Sequence, residues 1–289
     1  MFEYAPVDLP AKAPLIVILH GCNQRAAAYA AGAGWMEFAA EHGAALLLPE
    51  QRLRNSPVMC FNWYQRTDAM RGSGEVLSIR QMIERMSDLY DIDNKRIFVT
   101  GLSAGGAMAA AMLAAYPEVF AGGAVLAGLP FGAATNMSEA FTAMGSPARR
   151  SAAQWGQIVR NASSHNGPWP RLIIWHGSKD RTVSPANAKA LEQQWRHLHD
   201  LSEDAVLQVV QGNVTDRVWH NGSGAPVIER LLIDGMDHGI PIDAQGMNGA
   251  AAGLAGPFML DVGLSSTRWI TEFWGLAKQC NQPRHWLRW

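Results

Sequence analysis

Gly101-Leu102-Ser103-Ala104-Gly105 sets one serine between small residues, with the apolar run "RIFVT" leading in and an alanine-rich stretch leading out. The spacing G-x-S-x-G at a strand-to-helix turn is what makes a serine a nucleophile. Small residues two before and two after let the chain bend sharply, and the bend strains the serine backbone and pushes its hydroxyl outward. That hydroxyl attacks only when a base takes its proton and an acid orients the base. Sheets that use this turn supply the acid and then the histidine on loops after later strands. "IIWHGSKDRTV" offers Asp180 just past one apolar run, and "LLIDGMDHGIP" offers His238 just past another. Rivals stand beside them. His176 precedes Asp180 and reads as a packed histidine, Asp234 precedes a glycine and reads as a turn residue, and Asp237 reads as a loop residue. His20, His165 and His220 stay as alternative bases.

A serine attacking a carbonyl also needs donors for the oxyanion. The amide of Ala104, directly after the nucleophile, is one expectation. The amide of Cys22 is the other, from the loop after "LIVILHG", where His20-Gly21 marks the strand end. Cys60 lies in "VMCFNWYQR", the loop after the next strand, so a Cys22–Cys60 disulfide would pin the oxyanion loop from above in an oxidising compartment. Cys280 is then left unpaired. Trp63 and Tyr64, with His20, are the expected substrate contacts, and Trp35 and Trp219 are further aromatic candidates among eleven tryptophans.

Positioning such groups requires strands ending on one rim. "LIVILHG" (15–21), "ALLLPE" (45–50), "RIFVTG" (96–101), "GAVLAG" (123–128), "RLIIWHG" (171–177) and "ERLLIDG" (229–235) are nearly continuous in aliphatic residues, as in a parallel sheet covered on both faces. "VLQVVQ" (206–211) reads as a strand nearer an edge. Helical patterns alternate with them. "WMEFAAEHG" closes on Gly43, "EVLSIRQMIERMSDLY" turns Leu77, Met82, Met86 and Leu89 to one face, and "SAGGAMAAAMLAAY" ends before Pro117. "SPANAKALEQQWRHLH" opens with Ser184 as N-cap and Pro185 in the first turn, and "STRWITEFWGLA" is a final amphipathic helix. This alternation predicts an α/β fold with a doubly wound, mostly parallel sheet. Residues 136–169 read as an irregular insertion or cap, and 241–257 as a glycine- and alanine-rich loop. The expectation is one domain over 1–289.

The chain has 289 residues, 48% hydrophobic and 17% charged, with a formal net charge of −1. No basic surplus points to nucleic acid, and no apolar run approaches the ~20 residues of a membrane span. Metal and cofactor motifs are missing: no H-E-x-x-H, no paired C-x-x-C, and no Lys-Ser/Thr after "GLSAGG". The expectation is therefore no metal, no cofactor, no nucleic-acid partner and no membrane insertion, in a monomer or small homo-oligomer. The first residues do not read as a signal peptide. The compartment is secreted or periplasmic if a leader was removed, and cytoplasmic otherwise.

"LHGCNQ", "CFNWYQ", "RGSGEVLSIRQMI", "IFVTGLSAGGAM", "GPWPRLIIWHGSKDRTV" and "GMDHGIPI" resemble the poly(3-hydroxybutyrate) depolymerase family of esterases, which is related to feruloyl and acetylxylan esterases. The resemblance runs from about Leu15 to Leu276. It implies an α/β-hydrolase fold and serine ester hydrolysis, with nucleophile, acid and base on Ser103, Asp180 and His238 and oxyanion donors on Cys22 and Ala104. The implied substrate is a poly- or oligo(3-hydroxybutyrate)-type polyester or a short-chain ester. Plant cell-wall feruloyl or acetyl esters are the alternative. A catalytically silent hydrolase-fold binding protein would lack one of the three side chains, and here all three positions are filled. Two departures matter. The chain shows neither the linker nor the polymer-binding domain of depolymerases that attack crystalline polymer, and the fold's opening strand is short or missing.

Overall fold

The computed structural model describes residues 1–204, 206–247 and 251–277. Strands β1 (Phe2–Tyr4), β2 (Ala13–Leu19), β3 (Ala45–Leu48), β4 (Ile92–Leu102), β5 (Gly122–Leu126), β6 (Arg171–Gly177), β7 (Leu207–Gln211), β8 (Val214–His220) and β9 (Pro226–Ile233) form one sheet in the order β1-β3-β2-β4-β5-β6-β9-β8-β7. The run from β3 to β9 is parallel. β1 closes one edge antiparallel, and the β7–β8 hairpin closes the other. A further pair, β10 (Ile240–Ile242) and β11 (Met259–Asp261), lies within the glycine- and alanine-rich region and after it.

The aliphatic runs explain the double cover. On β2, Leu15, Val17 and Leu19 enter one apolar cluster while Ile16 and Ile18 enter the other, the period-two alternation of a strand buried on both faces. Helices α4 (Gly74–Leu89), α5 (Ala104–Ala115) and α8 (Ala186–Leu198) cover the first face. Helices α1 (Ala26–Gly32), α2 (Trp35–His42) and α9 (Ser266–Phe273) cover the second. The chain winds from β2 to β3 in one direction and resumes with β4 on the other side of β2. That reversal opens a crevice at the carboxyl ends of β2 and β4, where open α/β sheets bind ligands.

Several expectations need correction. α4 buries Val76, Ile79, Ile83 and Met86, whereas Leu77 and Met82 are only half-buried and Leu89 is exposed. Leu77 and Met82 lie five residues, and so about 140°, apart around the helix and cannot share one stripe. The span 136–169 is not irregular: it holds α6 (Met137–Gly145), capped by Asn136, and α7 (Ala152–Arg160), whose start is a capping box of Ser151 with Gln154. α8 has Pro185 rather than Ser184 at its N-cap. The opening strand, expected to be short or missing, is present and short, at three residues. A short α3 (Arg66–Ala69) precedes α4.

Candidate active site

β4 runs into α5 through Ser103, whose backbone sits at φ 57°, ψ −118°. A non-glycine residue there is strained, and the surrounding packing must hold it. The Ser103 amide donates to Leu126 O at 2.9 Å, and Ser103 O accepts from the Ala107 amide at 2.9 Å, so the turn is fixed on both sides. Gly105 explains the small residues. A Cβ there would collide with the carbonyl oxygens of Leu19 and His20 at the end of β2. The first turn of α5 therefore lies directly on the loop after β2, which brings Ala104 to Cys22.

Both amides are available. In the loop after β2, the Gly21 amide is taken by Gln24 Oε1 at 2.8 Å and the Asn23 amide by Val58 O at 2.9 Å. The Cys22 amide between them has no partner among the described residues. Ala104 is the first residue of α5 and its N-cap serine makes no side-chain cap, so its amide is one of the helix's orphan donors. Cys22 is bonded to Cys60 across 38 residues of sequence, which ties this loop to the segment carrying Trp63 and Tyr64. Cys280 lies outside the described residues.

That segment is braced from below by Glu75 of α4. Its carboxylate accepts from the Asn62 amide at 2.8 Å, from Asn62 Nδ2 at 2.9 Å and from Gln51 Nε2. Burial pushes the Glu75 carboxyl up to about 7, against the opposing pull of those hydrogen bonds.

Asp180 and His238 stand beyond β6 and β9 on the same rim. His238 Nδ1 donates to Asp180 Oδ2 at 2.7 Å, with both side chains buried. Asp180 Oδ1 accepts from the amides of Thr182 at 2.9 Å and Val183 at 2.8 Å. Burial opposes ionisation of Asp180, but the donors from His176, His238 and the Val183 amide outweigh it and hold the carboxyl far below the usual range. Asp237, expected only as a loop residue, ties the two loops together. It accepts from Arg181 Nε at 2.9 Å, from the Arg181 amide at 3.1 Å and from the His238 amide at 2.8 Å. A fork of this kind is read from structure; in sequence an exposed Arg and Asp 56 residues apart carry no signal.

Ser103 Oγ makes no hydrogen bond to His238 in this arrangement. Such bonds often tighten only when substrate is bound. Ser103, Ala104 and Cys22 open into a cavity of about 550 Å³ that also has Trp63, Tyr64 and Val183 in its wall. α6, from the expected cap region, adds Met137, Phe141 and Met144.

His20 is not a substrate contact. It is fully buried, with Nδ1 against Gly21 O at 2.7 Å and Nε2 accepting from the Gln51 amide at 3.1 Å. Burial also lowers its proton affinity. It braces the turn into the Cys22 loop. Trp35 is core, stacked on Trp274, and Trp219 is core beneath Arg196 and Arg217. His220 pairs with Pro226 at the start of β9, and His165 contacts Pro168 O ahead of β6, so both stand on the opposite rim from Ser103. Among the described residues no group of three or more His, Cys, Asp or Glu side chains could hold a metal ion, and no helix is long and apolar enough to cross a membrane.

A sequence model of the family described as "Esterase PHB depolymerase" matches residues 4–217. The chain belongs to this esterase family. It is 42% identical over 277 residues to poly(3-hydroxyalkanoate) depolymerase C of Paucimonas lemoignei, a match covering 96% of this chain and 66% of that relative. The chain thus spans just under two thirds of that relative's length. It is 29% identical over 251 residues to acetylxylan esterase A of Aspergillus oryzae, covering 84% of this chain and 80% of the relative. Among solved structures, an acetyl xylan esterase from Aspergillus awamori superposes with a TM-score of 0.77 at 22% identity, over 95% of this chain and 93% of that one. That likeness establishes the fold, which is the α/β-hydrolase arrangement.

Proposed function

We propose that this chain hydrolyses carboxylic esters through an acyl-enzyme on Ser103, and that its substrate is a 3-hydroxyalkanoate polyester or its oligomers. The 2.7 Å bond from His238 Nδ1 to Asp180 carries the reading, because it leaves Nε2 as the nitrogen able to take a proton. Ser103 Oγ attacks the ester carbonyl carbon while Nε2 accepts the hydroxyl proton. The carbonyl oxygen becomes an oxyanion that accepts from the Cys22 and Ala104 amides. A donor of this kind typically contributes about 2.7–4 kcal/mol to the transition state. His238 then returns the proton to the departing alcohol, leaving the acyl group on Ser103. A water that gives its proton to His238 attacks the acyl carbon, and Ser103 leaves with that proton.

The cavity wall supports a substrate longer than acetate. Val58, Met137 and Phe141 line it while 51%, 55% and 67% exposed, an apolar rim suited to a repeating aliphatic chain. The relative at 42% identity bears a poly(3-hydroxyalkanoate) name, whereas the acetylxylan relatives stand near 29%. The Cys22–Cys60 disulfide fits a secreted or periplasmic site of action. We read residues 1–289 as one catalytic domain, with α6 as its cap.

Purified protein should release monomer and dimer from 3-hydroxybutyrate oligomers at least tenfold faster than it releases acetate from acetylated xylan or ferulate from methyl ferulate. Faster deacetylation of xylan would overturn the substrate assignment and favour a cell-wall esterase.

A further inference from the structure

His176 is the residue before the last of β6, and its side chain is fully buried. Its Nε2 lies 2.8 Å from Val183 O and 3.2 Å from Asp180 Oδ2, the same carboxylate oxygen that meets His238 Nδ1. Carbonyl and carboxylate are both acceptors, so Nε2 carries a proton shared between them. His176 Nδ1 is buried with no partner among the described residues. The engaged nitrogen bonds Val183 O and also lies within reach of the acid of the site, a contact that no apolar side chain of similar size could make.

We propose that His176 is a positioning residue for the Asp180–His238 pair. The proposal rests on the triad assignment above. With the Thr182 and Val183 amides on Oδ1 and His238 Nδ1 on Oδ2, the carboxylate is held by three hydrogen bonds, and the His176 Nε2 proton, shared with Val183 O, adds a fourth and longer contact at 3.2 Å. By taking part of the charge on Oδ2, His176 moderates how strongly Asp180 stabilises the imidazolium that His238 becomes on accepting the Ser103 proton. Among the described residues, the other charged groups on the two loops are Arg181 and Asp237, paired with each other, Lys179, and Asp234, the last held by Ser178 Oγ. None of these donates to the carboxylate.

The test compares full-length His176→Leu, His176→Asn and His176→Gln with wild type on p-nitrophenyl butyrate, reading kcat, KM, melting temperature and the acidic limb of kcat/KM. Removing the donor leaves Asp180 wholly to His238, so the imidazolium is stabilised and the acidic limb moves to higher pH. We expect a shift of about half a pH unit, a kcat about tenfold lower and a KM within about twofold of wild type in the Leu variant. Gln, whose side-chain amide reaches the place of Nε2, returns the limb to its wild-type position. Asn falls short of that place and behaves as Leu does, and it supplies the reading if the Leu variant does not fold. An acidic limb unmoved or moved to lower pH in these variants overturns the proposal, as does an equal shift in the Gln variant. Ser103→Ala and His238→Ala are run in parallel: if either keeps wild-type turnover, the triad assignment itself has failed, which is a different result.

Discussion

Gly105→Ala tests whether the crossing of α5 over β2 sets the geometry of the site. A Cβ at this position would stand 2.5 Å from His20 O and 2.7 Å from Leu19 C, where ordinary contact begins near 3.4 Å. These neighbours, and Leu19 O closer still, are all backbone, so relief requires the first turn of α5 to move from the end of β2 by roughly 1 Å or more. That motion carries Ala104 and Ser103 away from the Cys22 amide, separating the two proposed oxyanion donors. A displacement of about 1 Å in a reacting constellation costs on the order of 100-fold in rate, or about 2.7 kcal/mol. Overpacking adds a stability loss of about 1–3 kcal/mol. The assay is kcat/KM on p-nitrophenyl butyrate, with urea unfolding on the same preparation. Gly145→Ala is the control. It adds the same methyl group at the end of α6 where nothing lies within 4 Å, and it should leave activity unchanged. Wild-type kcat/KM in Gly105→Ala would refute the argument that close backbone approach holds the oxyanion donors in place.

Reducing the Cys22–Cys60 disulfide, or replacing Cys60 by Ser, should lower kcat more than it raises KM because the Cys22 amide loses its anchor; a kcat that ignores dithiothreitol would contradict this. On loop entropy alone the 38-residue bridge should also contribute about 4 kcal/mol, read as a lower urea midpoint for the reduced protein. Glu75 gives a pH dependence. Its carboxyl is held at about 7 in the fold against an ordinary value of 4.5, so between those values the folded state binds more protons and stability falls as pH rises. Stability should drop on the order of 2 kcal/mol between about pH 5 and 8, and Glu75→Gln should flatten that slope; an unchanged slope in urea titrations would count against the burial of Glu75.

That Ser103, Asp180 and His238 stand on one rim is legible in the sequence because each follows an aliphatic run that reads as a buried strand, and parallel strands end on one rim. Cys22 and Cys60 were legible for the same reason, each lying just past a strand end. His20 was misread because sequence shows a histidine at a strand end without showing which way it points. The Gln51 amide that receives its Nε2 belongs to the next strand's loop. The α4 stripe differs from the expected one because the face turned to the core carries Val76, Ile79 and Ile83 with Met86, which excludes Leu77 and Leu89. The β7–β8 hairpin carried a signal that went unread, Gly212-Asn213 between two alternating runs, with Gly212 at φ 59°. The Arg181–Asp237 fork has no sequence signature, because it depends on two loops meeting in space, and the second imidazole beside Asp180 depends on how the chain turns between His176 and Asp180.

The most direct measurement is the fate of Ser103 itself. Wild-type protein treated with a fluorophosphonate should gain one adduct, mapped by peptide mass spectrometry to Ser103, and lose hydrolysis of p-nitrophenyl butyrate in step with labelling. Ser103→Ala should fold with a wild-type melting temperature, take no label and show no turnover above the uncatalysed rate. Labelling at another residue, or turnover in Ser103→Ala near that of wild type, would contradict the account.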